Sequence, residues 1–175
     1  AHHGYDIRGI LRSVFRAVIN RSFAGGGGST ITQQLARNMF EDRIGREKRI
    51  TRKLKELQVA LALERTYSKD QILEAYINQI NYDRGWYGIQ TASRNYFGKN
   101  AYELNPAEAA MLAAIPNRPY YYNPIRYPEN ALRRRNMTLN LMVDQGYLTE
   151  EEGEEWKSWP LPESQAEPRE GLAPY

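Results

Sequence analysis

Apolar residues recur along this 175-residue chain at helical spacing and almost nowhere in strict alternation. Between Arg8 and Arg21, residues Ile10, Leu11, Val14, Phe15, Val18 and Ile19 fall at i, i+3/i+4 and i+7/i+8, with Arg12 and Arg16 interleaved. Four glycines, Gly25 to Gly28, then interrupt the pattern. Thr30-Ile31-Thr32-Gln33 is a capping box that opens a helix running to about Phe40. From about Glu47 to Glu64, Ile50, Leu54, Leu57 and Leu61 form an apolar stripe that predicts a third helix with this face on a core. Ser68-Lys69-Asp70-Gln71 is a second capping box, leading into Ile72, Leu73, Tyr76, Ile77 and Ile80. Asn105-Pro106-Ala107-Glu108 caps an Ala-rich helix, with proline at its first position. Pro128 to Gln145 reads as a helix stopped by Gly146, and Thr149 to Glu152 caps a short acidic one. There is no sequence repeat, and the pattern predicts an all-α fold.

Length suits one domain, and 41% hydrophobic with 26% charged residues is enough apolar material for a core. The absence of cysteine excludes disulfides, thiolate metal sites and a cysteine nucleophile. Only two imidazoles are present, His2 and His3, so a metal site would draw on carboxylates. No apolar run approaches the about 20 residues a membrane-spanning helix needs. The net charge of +3 conceals a basic first third, with +7 over residues 1–60, and an acidic end, with −6 over residues 147–175. A basic region of this kind can meet nucleic acid, anionic lipid or a phosphorylated substrate. Ala1-His2-His3-Gly4 lacks an initiator methionine, and the Pro- and Glu-rich end at Gly171–Tyr175 reads as a linker; both ends are expected to be those of an excised domain.

Three constellations could carry chemistry. Gly25–Gly28 followed by Ser29, Thr30, Gln33 and Gln34 puts backbone amides and neutral donors at a helix start, which suits an anion. A flexible hinge with an ordinary cap accounts for it equally well. Arg49, Lys53 and Glu56, at i, i+4 and i+7, lie within about 60° on one helix face, with Lys48, Arg52 and Lys55 nearby. The plainer account is a solvated charged face worth a few tenths of a kcal/mol. Asn81 to Gly88, with Trp86 and Tyr87, offers aromatic faces suited to sugar stacking; a loop pinned to the core by its aromatics is the commoner case. Arg118-Pro119-Tyr120-Tyr121-Tyr122-Asn123-Pro124 reads as a rigid connection.

In this order the segments resemble the peptidoglycan glycosyltransferases, glycosyltransferase family 51. Four of its five ordered motifs stand nearly complete: Gly27 to Leu35 with Arg37-Asn38; Arg52-Lys53-Leu54-Lys55-Glu56; Ile72 to Asn78 through Gly85 and Gly88 to Tyr96-Phe97-Gly98-Lys99; and Arg118-Pro119 with Tyr122-Asn123-Pro124. Of the first motif, Glu-Asp-x-x-Phe-x-x-His-x-Gly, only His2-His3-Gly4 is present, so the glutamate that the family uses as general base would lie six positions before Ala1. The resemblance is closest to a class A penicillin-binding protein.

The resemblance implies a lysozyme-like all-α fold over residues 1–159. A larger head would carry a smaller jaw at about 8–28, and residues 160–175 would link to a fused transpeptidase domain. Ile10, Val14, Phe15 and Val18 would face a membrane surface, with Arg12 and Arg16 on lipid phosphates. It implies polymerisation of lipid II into a β-1,4-linked glycan strand with departure of undecaprenyl diphosphate. Glu56 and Lys53 are the catalytic residues it places in this chain. Ser29, Thr30, Gln33, Gln34, Arg37, Lys48, Arg49, Arg52 and Asn78 are the diphosphate- and substrate-binding set. No cofactor is obligatory; a divalent cation, Mg²⁺ or Mn²⁺, held by Glu56 is an option the resemblance leaves open. Inhibitors of the moenomycin type are expected ligands. The implied location is the outer face of the bacterial cytoplasmic membrane, with a transmembrane anchor upstream of residue 1. Competing readings are a lytic muramidase-like enzyme with a general-acid glutamate and a non-catalytic glycolipid-binding module. Nucleic acid is not an expected partner, because the basic excess sits among these motifs rather than along one exposed stripe.

Overall fold

The computed structural model describes residues 7–24, 30–40 and 49–167, and among them every regular element is helical. Eight α-helices follow in order: α1 (Ile7–Ala24), α2 (Ile31–Met39), α3 (Arg49–Thr66), α4 (Lys69–Ile77), α5 (Ile89–Phe97), α6 (Pro106–Ala114), α7 (Pro128–Asp144) and α8 (Glu150–Lys157). Short 3₁₀ turns at Ala101–Glu103 and Ile115–Asn117 flank α6. The glycine loop 25–28, Ser29, Lys48, His2, His3 and the last eight residues lie outside the described residues.

The four capping boxes all form. Thr30, Ser68, Asn105 and Thr149 each accept the backbone N–H three residues on, and Gln33, Gln71, Glu108 and Glu152 reach back to the cap's own N–H. Two otherwise orphaned donors are thereby satisfied at each helix start. At α6 the box is buttressed, since Lys99 Nζ lies 2.8 Å from Glu108 Oε1. Replacing Asn105 by Ala is expected to cost about 1 kcal/mol, read as a melting point about 2–4 °C lower in thermal denaturation.

All nine residues of α6 are buried. Its alanines present a low surface that lets α7, α1 and α5 approach closely, and the core gathers around it with Leu104, Met111, Leu112, Ile115, Leu139 and Met142. Helix α8 closes against α7, where an added Cβ on Gly153 would stand 2.6 Å from Val143 Cγ2. Arg135 on α7, 1% exposed, donates to the carbonyls of Lys157 (2.8 Å) and Trp159 (2.6 Å), so a buried cation ties down the end of α8.

Two apolar faces depart from their expected places. Val14 and Phe15 on α1 are buried, and Ile10 and Val18 pack half-buried against the same core, so this stripe is turned toward the core. The reason is the small-residue face of α6, together with α7, against which α1 lies. Arg12 and Arg16 both pair with Asp70 at the start of α4. On α3 the opposite holds: Ile50 is 77% exposed and Leu54 58%, with Leu57 and Leu61 exposed beside them. The inward face of α3 is instead Glu56 and Ala60, the side that meets α2.

The segment between α4 and α5 is a loop held from within. Asp83, Arg84 and Gly85 are left-handed in succession (φ 74°, 55° and 74°), and Gly88 N–H returns to the Ile80 carbonyl at 2.9 Å. Tyr82 and Tyr96 are buried, Tyr96 Oη donates to the Tyr82 carbonyl (2.7 Å), and Trp86 meets Tyr96 edge-on at 4.9 Å. These aromatics therefore pin the loop to the core, the plainer of the two accounts of that motif.

Candidate active site

Helices α2 and α3 place one carboxylate among three cations. Glu56 has no solvent exposure, whereas Arg37, Arg52 and Lys53 are 44%, 41% and 50% exposed. Arg37 comes from the last turn of α2 and donates from Nε to Glu56 Oε1 (2.9 Å) and from Nη2 to Oε2 (3.2 Å). This two-pronged match is the strong form of a guanidinium–carboxylate pair. Lys53 Nζ donates to Oε2 at 3.2 Å from one turn earlier on α3, and Arg52 Nε stands 3.7 Å from Oε1. That Arg52 Nε is buried and makes no hydrogen bond.

The hydrogen bond from Arg37 holds the Glu56 carboxyl below its ordinary range; burial opposes this, and the hydrogen bond from Lys53 adds to it. Glu56 is therefore an anion at neutral pH, with both oxygens occupied. It can neither donate a proton to a leaving group nor readily accept one. It holds three cationic side chains in a fixed array whose outer atoms reach solvent. A general-acid glutamate of the lytic kind requires a carboxyl pushed upward, and this one is pushed down.

Beside the cluster lies a cavity of about 310 Å³ lined by Gln34, Arg37, Asn38, Tyr76, Ile80, Asn81, Pro116 and Pro119. Tyr76 Oη donates to Gln34 Oε1 at 3.2 Å across it, and burial pushes the Tyr76 hydroxyl up to about 12. Tyr76, Asn81 and the two prolines were not among the expected binding residues. Tyr76 reads in sequence only as one more member of an apolar stripe, and the prolines converge from about 80 residues away. Thr30 lines a different, larger cavity of about 560 Å³ with Arg16, Ile31, Glu64, Lys69 and Leu73.

The expected binding set is thus divided. Arg37, Arg52, Lys53 and Glu56 converge, and Gln34 shares the neighbouring cavity with Arg37. The Thr30 and Gln33 side chains are engaged in the cap of α2, each accepting the other residue's backbone N–H. Arg49 is exposed at the start of α3, outside the ion-pair cluster. Asn78 closes α4 and lines a third cavity with Leu11, Arg12 and Asp70. Ser29 and Lys48 lie outside the described residues.

A helical domain that gathers a buried carboxylate and three cations from these motifs defines a class. The family model described as transglycosylase matches residues 1–143, and the chain belongs to that family. Penicillin-binding proteins are among the relatives it matches. Penicillin-binding protein 1A of Aquifex aeolicus is 46% identical over 164 residues, which is 91% of this chain and 22% of the relative. Penicillin-binding protein 1F of Bacillus subtilis is 47% identical over 154 residues, 86% of this chain and 21% of that protein. The crystal structure of penicillin-binding protein 1A from Haemophilus influenzae superposes with a TM-score of 0.50 at 27% identity, over 77% of this chain and 17% of the other. The chain spans about a fifth of the length of these relatives. The all-α expectation and the resemblance to glycosyltransferase family 51 both hold.

Proposed function

We propose that the chain polymerises lipid II into a β-1,4-linked glycan strand, with undecaprenyl diphosphate as the leaving group. The observation that carries this is the array of Arg37, Arg52 and Lys53 around the buried Glu56, which leaves two positive charges in excess. The acceptor C4 hydroxyl attacks the anomeric carbon of the growing strand with inversion, and negative charge grows on the departing diphosphate. Cations already held in place stabilise that charge without reorganising, where electrostatic catalysis is most effective. Arg37 offers a planar fork and Lys53 a point charge, two complementary ways of meeting phosphate oxygens. The glutamate that deprotonates the acceptor lies upstream of Ala1. In this reading residues 1–159 form the catalytic domain at the outer face of the cytoplasmic membrane. A transmembrane anchor precedes it, and residues 160–175 lead to a transpeptidase domain.

Glu56 does not suit a divalent cation. Both its oxygens accept hydrogen bonds from cationic side chains, and no group of three acidic or imidazole side chains gathers among the described residues. No step is therefore assigned to a metal. Among the described residues no helix is long and apolar enough to cross a membrane, so the proposed anchor is a matter for the upstream chain.

The decisive experiment is polymerisation of labelled lipid II by this chain beside a form extended upstream through the first motif. Strand synthesis by the extended form alone is the expected result. Glycolipid binding by both without synthesis by either would establish a binding module instead. In the same assay a moenomycin-type phosphoglycolipid should bind the Arg37→Ala/Lys53→Ala variant at least about tenfold more weakly, each lost charge-assisted bond being worth about 1.5–3 kcal/mol. Unchanged affinity in a cooperatively melting variant would remove these residues from the phosphate site.

A further inference from the structure

Resting on that reading and deepening it, we propose that Tyr120, Tyr121 and Tyr127 form a platform on which the sugar rings of the glycan strand stack as they leave the cavity beside Arg37. Pro116 and Pro119 line that cavity together with Arg37, and the chain passes directly from Pro119 into Tyr120 and Tyr121. The platform thus begins at the residue that follows Pro119 of the cavity wall.

Beneath the rings the loop is rigid. Asn123 is fully buried; its Nδ2 donates to Asp83 Oδ2 (2.6 Å) and Tyr96 Oη (3.2 Å), and its Oδ1 accepts the N–H groups of Ile125 and Arg126. Folding accounts for Asn123 and the half-buried Tyr122. It does not account for Tyr120 at 55% exposure or Tyr121 at 43%, each held in place at solvent. The rings brace one another: Tyr120 and Tyr127 stand 5.5 Å apart at 64° with their hydroxyls 3.2 Å apart, and Tyr121 lies 6.2 Å from Tyr127. Arg126 sits over Tyr120 at 4.4 Å and Arg118 over Tyr121 at 5.1 Å. Arg126 is in turn 4.0 Å from Asp83.

A pyranose ring has apolar C–H faces and a rim of hydroxyl and amide groups. Fixed aromatic surface edged by phenol hydroxyls, with a guanidinium over one face of Tyr120 and one of Tyr121 and the opposite faces left for a sugar, complements both. Because the rings are immobilised before any ligand arrives, little ordering entropy remains to oppose binding. An acyl chain would gain nothing from the phenol hydroxyls at the ring edges. An oligonucleotide is the rival occupant, since stacking rings among cations also suit bases, but direct succession in the chain from Pro119 of the reaction cavity favours the glycan.

The test is calorimetric titration of lipid-free, uncrosslinked glycan strands, and separately chitohexaose, into this chain. Tyr120→Ala/Tyr121→Ala should weaken strand binding at least about tenfold, a loss in line with one stacked ring. Tyr120→Phe/Tyr121→Phe, which keeps the rings, should stay within about threefold, and the exposed Tyr147→Ala should match the parent. In the upstream-extended form the alanine pair should shorten the strands made while leaving the rate of the first bond unchanged. Parent-like binding and strand length in the alanine pair overturn the platform even where polymerisation is intact. Tyrosine-dependent glycan binding with no polymerisation by the extended form keeps the platform and overturns the glycosyltransferase reading. Tighter binding of a single-stranded oligonucleotide than of the glycan overturns the platform.

Discussion

Glu56→Gln in the upstream-extended form is expected to lower the rate of lipid II polymerisation by about 10²–10³-fold, the range seen when one preorganised charge-stabilising contact is lost. The variant is close to isosteric, so the effect isolates charge. A carboxylate accepts from Arg37, Lys53 and Arg52 at once; an amide turns an N–H toward cations that are themselves donors, and the array opens. Removing a negative charge also makes the site more positive. Ground-state affinity for an anionic substrate should therefore hold or rise while kcat falls, a split that a merely unfolded variant would not show. Initial rates across lipid II concentration decide it, and a parent-like kcat would remove Glu56 from the mechanism. The same carboxylate ties the site to acid pH. Its folded pKa lies below the unfolded value, so the stability it contributes is fully present above the unfolded value of about 4.3 and disappears as pH falls through the lower folded value. Glu56→Gln should flatten the acid limb of the stability profile.

Gly88→Ala is expected to destabilise the fold by about 3 kcal/mol or more, lowering the melting point by about 6–12 °C. Gly88 has φ 82° and ψ 149°, a region open essentially to glycine alone. An added Cβ would stand 2.6 Å from the carbonyl oxygen of Asn78, which is backbone at the end of α4 and cannot rotate away. Gly85 provides the comparison: its φ is 74°, but nothing lies within 4 Å of an added Cβ, so Gly85→Ala carries only the backbone penalty of about 1–2 kcal/mol. Thermal unfolding followed by helical circular dichroism separates the two. Equal losses would mean that the α4–α5 junction yields more readily than its packing indicates.

Local signals in the sequence proved sufficient where a helix carries its own start. Thr30, Ser68, Asn105 and Thr149 mark four N-termini because each cap is made by residues three apart and needs no tertiary partner. Helix α5 escapes such reading: Gly88 at its N-cap has no side chain to cap with, and its buried residues, Ile89, Ala92, Ser93 and Tyr96, are spaced as a helix stripe that is only two turns long and broken by a serine. The stripes of α1 and α3 are equally regular in sequence, yet one lies in the core and the other at solvent. Periodicity identifies a face but not its neighbour, and here Arg37 reaching Glu56 and Ala60 admitting α2 turn the polar side of α3 inward. At the site, the helix spacing brings Arg52, Lys53 and Glu56 together. The depth of Glu56 and the arrival of Pro116 and Pro119 depend on packing that no local pattern encodes.

The excess charge left around Glu56 also acts before anything is bound. A concentrated positive field at a half-exposed site draws anions inward over roughly a Debye length, about 8 Å at physiological ionic strength and about 30 Å at 0.01 M. The frequency of productive encounter, rather than the lifetime of the complex, is then the quantity that responds to salt. Association rates measured in dilute buffer will exceed those at the ionic strength of a living cell surface, while dissociation rates from the same experiments will carry over almost unchanged.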